Sequence, residues 1–549
     1  MRKEYLLMVK QQCPFSQELS KTLEGKIMKE IRILFTGVGR RVELVQAFKQ
    51  AALCLNIPLK IFGADMTRTA PSLAYCDFTR KVCGMRESNY VAELLKICEE
   101  DKIDLLIPTI DTDLLVLSEN SSFFKNTKIM ISNPDMIRIC RDKNKTSQFF
   151  WDCGLKAPIP TNDWKKYDGG YPAFIKPKDG SSSINAFKIK DEEDLKIHAA
   201  QIEDYIVQPF IDGTEYTIDI FCDWNGEPVS IVPRKRLSVR AGEVLKTQIA
   251  LDKKMHEEMK CLCKCFKPCG PITVQLIKDV RSGDNYYIEI NPRFGGGAPL
   301  SMKAGANSAI FILQLLSGET LKFEPDNLAD GAIFSRFDQS ICTNIEAYNG
   351  KLKGVVFDLD DTLYSEKEYV RSGFKAVAEY LNQPEVFSQL WNSFLCGKQA
   401  IDEYLLSIGK MELKENCLKI YRDHIPVIKL YDDMYERLQN YRKQSLKIGI
   451  ITDGRPEGQR NKIKALHLED LVDDIIITDE LGGEQFRKPC DIAFRILLTK
   501  WRIQASEMLY IGDNMAKDFQ ACKQLGIRYE WKENKNGLYW GINENTNFD

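Results

Sequence analysis

Between Ile31 and Ser132, four short apolar runs alternate with segments of helical period: IRILFTG, LKIFGAD, DLLIPTI and KIMISN. Runs this short and continuous read as strands buried on both faces, and the alternation predicts a doubly wound parallel sheet. A second block, to about Leu328, mixes helical patterns with longer strands such as EYTIDIF and YYIEINP. A third opens near Gly350 with KGVVFDLDDTLY, reaches KIGIITDG after a long helical stretch and closes on MLYIGDN. The expected fold class is α/β and multidomain. A polar extension covers 1–27, a Rossmann-like domain 28–132, an α+β domain 133–328, and a second Rossmann-like domain 350–549 with a helical insertion at about 365–440.

Composition narrows the function classes. The 549 residues are 44% hydrophobic and 28% charged, as in globular protein. Lys plus Arg is 76 against 78 Asp plus Glu, a net charge of −2. That balance offers no surplus of cations to displace counterions, so nucleic acid is not an expected partner. No apolar run approaches the roughly 20 residues that span a bilayer, and Met1 to Glu30 lacks a signal-peptide core. The expectation is a cytoplasmic protein without membrane attachment; homo-oligomerisation is left open. The 17 Cys are scattered. The cluster Cys261, Cys263, Cys265 and Cys269 does not match common zinc spacings.

The clearest chemistry lies in the third block. Asp358 and Asp360 follow an apolar run, and carboxylates at the carboxyl end of a parallel strand face the crevice where such sheets bind ligands. Spaced two apart, they share one face of an extended backbone. One can attack phosphorus, and the other can protonate a leaving oxygen and later activate water. Two such charges need a cation, and Mg²⁺ suits oxygen ligands. Thr452 ends the run KIGIIT and can bond phosphoryl oxygens. Lys488, before Pro489, can meet developing negative charge. Asp513 and Asp518 follow MLYIG and can complete a metal site.

In order, DLDDT (358–362), Thr452 in ITDG, Lys488 in RKP and GDNMAKD (512–518) resemble the four motifs of the haloacid dehalogenase superfamily of phosphatases. The resemblance implies Asp358 as nucleophile and Asp360 as general acid/base. It implies Mg²⁺ (or Mn²⁺) held by Asp358, Asp513 and the main-chain carbonyl of Asp360. The helical insertion looks like the cap that closes over substrate in one subclass.

The second block carries a different set. In FIKPKDGSSS (174–183), Lys176 precedes a Gly/Ser turn whose N–H groups and hydroxyls can cover phosphates. About thirty residues on come Gln208, Phe210 and Glu215, and a carboxylate can accept both hydroxyls of a ribose. Glu289 and Asn291 alternate on a strand, so both face one side, with Arg293 expected beside them. Such oxygens can hold Mg²⁺ between triphosphate oxygens, Arg293 can stabilise a transferring phosphoryl group, and Gln275 offers a further oxygen.

With RDKNKT (141–146), VQPFIDGTEY (207–216), ITVQ (272–275) and IEINPR (288–293), this set resembles the ATP-grasp superfamily over about 31–325. It is most similar to the carbamoyl-phosphate synthase large-subunit-like and carboxylate–amine ligase branches. The resemblance implies that Lys143, Lys176 and the loop Gly180, Ser181, Ser182 and Ser183 bind ATP phosphates. It implies Glu215 on the ribose and Glu289 and Asn291 on metal. The first block then matches the Rossmann-like domain that precedes many ATP-grasp folds.

One ATP site argues against carbamoyl-phosphate synthesis itself. The expected function is bifunctional: ATP-dependent joining of a small carboxylate to an amine or other nucleophile through an acyl phosphate, and hydrolysis of a phosphate ester. The alternatives are a carbamoyl-phosphate-synthase-like domain beside an independent housekeeping phosphatase, or a non-catalytic ATP-binding sensor. In FTGVGRR (35–41), Arg40 and Arg41 are candidates to hold a substrate carboxylate or are solvated helix-start residues. Asp111 and Asp113 are expected to be structural or peripheral.

Overall fold

The computed structural model describes residues 29–178, 185–240, 242–323 and 328–538. The expected extension over 1–27 and the loop residues Gly180, Ser181, Ser182 and Ser183 lie outside them. Two compact units divide the chain, one ending at Gln339 and the other beginning at Ser340.

The first unit opens with a parallel sheet of β1 (Ile31–Thr36), β2 (Leu59–Asp65), β3 (Phe78–Lys81), β4 (Leu105–Pro108) and β5 (Lys128–Ile129). Its order is β3-β2-β1-β4-β5, so the chain reverses direction across the sheet between β1 and β4. A small antiparallel sheet follows, β7-β6-β8, from β6 (Ala173–Pro177), β7 (Phe187–Ile189) and β8 (Tyr205–Pro209). The third sheet runs β13-β12-β9-β10-β11-β14. Its strands are β9 (Gly213–Cys222), β10 (Pro228–Arg240), β11 (Glu243–Ile249), β12 (Gly270–Asp279), β13 (Asn285–Asn291) and β14 (Ile333–Ser335).

The boundary expected at 132/133 separates sheets but not cores. Helix Val42–Leu55 buries Leu44, Val45, Phe48, Ala51, Ala52 and Leu55, one face of a 3.6-residue period. That face shares a hydrophobic cluster with Phe221, Phe294, Ala298, Ile312 and Leu313 from beyond the boundary. Helix Lys253–Phe266 explains the cysteine cluster: Cys263 lies on the buried face with Met255, Met259 and Leu262, while Cys261 and Cys265 are exposed.

The second unit is one parallel sheet, β17-β16-β15-β18-β19, again reversing beside its first strand. Its strands are β15 (Gly354–Phe357), β16 (Lys447–Thr452), β17 (Asp474–Ile477), β18 (Met508–Gly512) and β19 (Arg528–Trp531). Helices Glu366–Tyr380, Val386–Leu395, Ala400–Ser407 and Lys414–Asp423 form the insertion and have their own core around Phe374, Leu390 and Leu405. The insertion ends earlier than the expected residue 440. Helix Asp432–Lys443 packs Met434 and Leu438 against the sheet core with Val355 and Ile448. No described helix is long and apolar enough to cross a membrane.

Candidate active sites

In the second unit, the crevice lies at the carboxyl ends of β15 and β18, where the sheet order reverses. Asp358 leaves β15 and Asp513 leaves β18. Lys488 Nζ is fully buried, 2.6 Å from Asp358 Oδ1 and 2.7 Å from Asp518 Oδ1, and it donates to Tyr510 Oη at 3.0 Å. Asp453 fixes the lysine's backbone by accepting from Lys488 N at 3.0 Å. Gly512 is required here: a Cβ would stand 2.5 Å from Asp518 Oδ2.

Asp358, Asp513 and Asp518 are buried, with carboxylate oxygens within 4.8 Å of one another. Burial, reinforced by the neighbouring carboxylates, pushes Asp513 up to about 9. Burial likewise pushes Asp358 up to about 7, with Lys488 opposing. Burial disfavours the Lys488 charge, yet the two acids outweigh it and hold the ammonium above its ordinary range. Three clustered buried acids, with Lys488 and Lys517 beside them, form a donor set that fits a hard divalent cation such as Mg²⁺. Thr452 Oγ1 is buried and has no hydrogen-bond partner, leaving a hydroxyl for an oxygen-rich group.

Asp360 is oriented differently. Its carboxylate accepts from Lys462 Nζ at 2.7 Å, Gln459 Nε2 at 2.9 Å and Tyr364 Oη at 2.5 Å. Burial alone would raise its pKa, but the Lys462 charge together with the hydrogen bonds from Lys462, Tyr364 and Gln459 holds it below the usual carboxylate range. The side chain therefore faces helix Pro456–Ala465 and is not among the three clustered acids. Its place in a metal set would be through its main chain. Lys462, Gln459 and Tyr364 were not identified from sequence. A cavity of about 640 Å³ joins this crevice to Lys419 and Arg422 of the insertion.

In the first unit, neighbouring strands bring together residues far apart in sequence. Gln275 on β12 stands opposite Glu289 on β13 and Thr217 on β9. A register shift after Gln275 skips Ile288, leaving Glu289 and Asn291 both half-buried. Arg236 of β10, not identified from sequence, links the set. Its Nη1 donates to Gln275 Oε1 at 3.1 Å and lies 3.5 Å from Glu215 Oε2, while its buried Nε has no partner. Its signal was the spacing of Arg234 and Arg236 on one face of β10.

Lys176 on β6 is buried. Burial, with Lys143 alongside, lowers it to about 8, and Glu289 partly compensates. Lys143 Nζ donates to Lys178 O at 3.1 Å. Gln208 is buried on β8, opposite Phe174 on β6. Phe210 N donates to Pro172 O, and the Phe210 ring lies 4.0 Å from Lys188 Nζ. Two lysines near one acid, with a half-exposed Glu215 and paired oxygens on β12 and β13, fit a nucleoside triphosphate and its cation.

One expectation is corrected. Arg293 does not extend the β13 alternation, because the strand ends at Asn291 and the chain bends. Its guanidinium instead pairs bidentately with Asp111, at 2.9 and 2.5 Å. Asp111 is therefore the counter-ion of Arg293. Asp113 is structural: buried, it accepts from Thr36 Oγ1 at 2.6 Å and Tyr90 Oη at 3.0 Å.

The folds and sites define an enzyme with a nucleotide-binding, ligase-type unit and a parallel α/β unit of phosphatase type. Comparison with known proteins assigns both. The family described as haloacid dehalogenase-like hydrolase matches residues 355–531. The family described as ATP-grasp domain matches 140–297, and the one described as PylC-like, N-terminal domain matches 33–132. Over 191 residues the chain is 30% identical to the glyceraldehyde 3-phosphate phosphatase of Methanocaldococcus jannaschii, a match covering 32% of this chain and 82% of that protein. It is 26% identical to D-alanine–D-alanine ligase B of Clostridium perfringens, covering 31% of this chain and 65% of that protein. Among solved structures, N5-carboxyaminoimidazole synthetase from Staphylococcus aureus complexed with ADP is similar at a TM-score of 0.45 and 16% identity, over 53% of this chain and 79% of that one.

Through its C-terminal third the chain belongs to the haloacid dehalogenase-like hydrolases, and it carries an ATP-grasp domain ahead of that part.

Proposed function

We propose that the chain is a bifunctional enzyme. Its first unit joins a small carboxylate to an amine or other nucleophile at the expense of ATP, releasing ADP and phosphate. Its second unit hydrolyses a phosphomonoester. The observation that carries the reading is the convergence of Asp358, Asp513, Asp518 and Lys488 at one sheet reversal, with an unpartnered Thr452 hydroxyl beside them. Relatives named as phosphatases of small phosphate esters support the substrate class.

In the phosphatase half, Asp358 attacks phosphorus and becomes an aspartyl phosphate as the ester oxygen leaves. Lys488 and Thr452 meet the charge on the phosphoryl oxygens. Asp360 gives a proton to the leaving oxygen and later takes one from the water that cleaves the aspartyl phosphate. Mg²⁺, held by Asp358, Asp513 and the Asp360 main chain with Asp518 close by, would supply charge neutralisation for the phosphoryl group.

In the ligase half, Lys143 and Lys176 neutralise the ATP phosphates and Glu215 receives the ribose. Gln275, Glu289 and Asn291 offer the oxygens for Mg²⁺. The carboxylate oxygen attacks the γ-phosphorus, ADP departs, and the resulting acyl phosphate loses phosphate to the incoming nucleophile. Arg293 meets charge on the transferring group.

The test uses the Asp358→Asn variant, which silences the phosphatase, with ATP, Mg²⁺ and pooled carboxylates and amines. ADP release that depends on the pool, with a new mass equal to acid plus amine minus water, is the expected result. In parallel, wild type should hydrolyse p-nitrophenyl phosphate and Asp358→Asn should not. Nucleotide binding without ADP release from any pool would leave a sensor in place of a ligase.

A further inference from the structure

The first unit has its own sheet reversal, between β1 and β4, and none of the described ATP-binding candidates lies on its strands. The crevice outside the carboxyl ends of strands at such a point is where open parallel sheets receive ligands. Arg41 stands at its edge, one residue before helix Val42–Leu55. Its Nη2 donates to Thr109 O, just past β4, at 3.1 Å. Thr109 Oγ1 in turn donates to Gly37 O at 2.7 Å, tying the two strand ends together.

Charge counting around Arg41 gives an imbalance. The ionisable groups facing it are Arg293, Glu243, Asp111 and Arg336. Asp111 is taken bidentately by Arg293, and Glu243 lies 3.3 Å from Arg336. Three arginines thus share two acids, and Arg41 is the one without a carboxylate within ion-pair distance among the described residues. Burial, with Arg293 alongside, lowers its guanidinium to about 10. A half-buried guanidinium with one carbonyl partner leaves most of its donor fork uncommitted. Gly296 lines the approach: a Cβ there would stand 3.3 Å from Arg41 Nη1. Arg40 is different, exposed and 3.8 Å from Asp338.

We infer that the crevice between β1 and β4 is the acid subsite of the ligase half, where Arg41 holds a carboxylate of the small-molecule acid. This rests on the ligase reading for the substrate's role, while carboxylate binding at Arg41 stands without it. The site adjoins the nucleotide candidates through Arg293, whose Nη2 lies 3.5 Å from Asn291 Oδ1. An acid gripped by Arg41 would therefore sit beside the strand end that carries the metal oxygens. Asp111 orients Arg293 at the strand end, and Arg41, with no carboxylate within ion-pair distance among the described residues, supplies the cation for the acid.

The experiment labels the full-length wild-type chain with limiting phenylglyoxal and follows Arg40 and Arg41 separately by fragment mass spectrometry. The probes are acetate, malonate, the corresponding amides and inorganic phosphate. At a carboxylate concentration twice its Kd, Arg41 should label about threefold more slowly. The amides should have no effect, and Arg40 should label equally throughout. Equal Arg41 labelling with carboxylate and amide overturns the subsite. Protection by phosphate alone also overturns it, reassigning the anion to a phosphoryl group. A second arm uses Arg41→Lys with the acid that supports ADP release. KM for the acid should rise about tenfold or more, with KM for ATP unchanged; an unchanged acid KM overturns the proposal. Arg41 protection in a chain that releases no ADP would sink the ligase reading alone. ADP release with an unprotected Arg41 would sink the subsite alone.

Discussion

Replacing Lys488 by Met tests whether the phosphatase half is held by the charge balance its geometry implies. Met keeps the length of the side chain and removes the ammonium. Lys488 is buried between Asp358 and Asp518, at 2.6 and 2.7 Å. Removing one partner of a buried pair costs about 3–5 kcal/mol, and one lysine serving two acids puts the cost toward the top of that range. Proton uptake is the first relief. The folded acids would titrate above their unfolded range, so the folded state binds more protons than the unfolded one. Stability then falls as pH rises from the unfolded pKa to the folded one, by up to about 1.4 kcal/mol per pH unit for each proton. A bound cation is the second relief, returning about 2.7 kcal/mol at one hundred times its Kd. The assay is hydrogen exchange of peptides covering β15 and β18, corrected for intrinsic rates, at pH 6 and pH 8 with and without Mg²⁺. The expected loss of protection is about 3 kcal/mol or more at pH 8, smaller at pH 6 and partly reversed by Mg²⁺. A variant within about 1 kcal/mol of wild type at pH 8 without divalent cation would refute the reasoning, because the acids would then not depend on the lysine.

Gly512→Ala should cost about 1–3 kcal/mol, since its Cβ would stand 2.5 Å from a fully buried Asp518; Mg²⁺-dependent thermal stabilisation should shrink with it, and an unchanged Mg²⁺ shift would count against Asp518 as part of the cation site. Lys462→Met removes the counter-ion that lowers Asp360, so the alkaline limb of the p-nitrophenyl phosphate kcat/KM profile, set by the protonated form that serves the leaving oxygen, should move upward by about a unit or more; an unmoved limb would detach Lys462 from the acid/base group. Lys176, lowered to about 8, binds fewer protons folded than unfolded between that value and 10.5, so its contribution to stability rises with pH there. ATP binding needs the charged form, and fluorescent-nucleotide titrations should show affinity falling above about pH 8, a fall that Lys176→Met abolishes.

What the sequence revealed and what it hid have one physical cause. A strand buried on both faces must be apolar, so Asp358 after Val355–Phe357 and Asp513 after the β18 run stand out by contrast with what precedes them. The same contrast exposes the strand runs of the first sheet. Side-to-side partners leave no such mark. Asp360 meets Lys462 across 102 residues and Arg293 meets Asp111 across 182, and neither lysine nor acid is unusual in its own segment. Arg293 was misplaced because alternation was carried two residues past the end of β13, where the backbone bends. The expected insertion runs to about residue 440 because the stretch is helical throughout, whereas two buried residues, Met434 and Leu438, decide where helix Asp432–Lys443 packs.

Both sheet reversals concentrate unbalanced charge, and the sign differs. In the second unit, Asp358, Asp453, Asp513 and Asp518 outnumber Lys488 and Lys517, so the crevice is net negative and favours a cation. In the first, Arg41, Arg293 and Arg336 outnumber Asp111 and Glu243, so the unmet demand is for an anion. An imbalance of either sign inside a fold is costly unless a ligand relieves it, because buried charge without a partner loses its hydration. Pairing elsewhere shows that the chain can neutralise such groups when only packing is at stake. Arg234, almost completely buried, lies 2.8 Å from Asp219, which also accepts from Ser301 and Thr273. Arg41 has no such acid within ion-pair distance among the described residues, and the two acids that face it, Glu243 and Asp111, are paired with Arg336 and Arg293. The surplus at each crevice is therefore better explained by what binds there than by the stability of the empty fold.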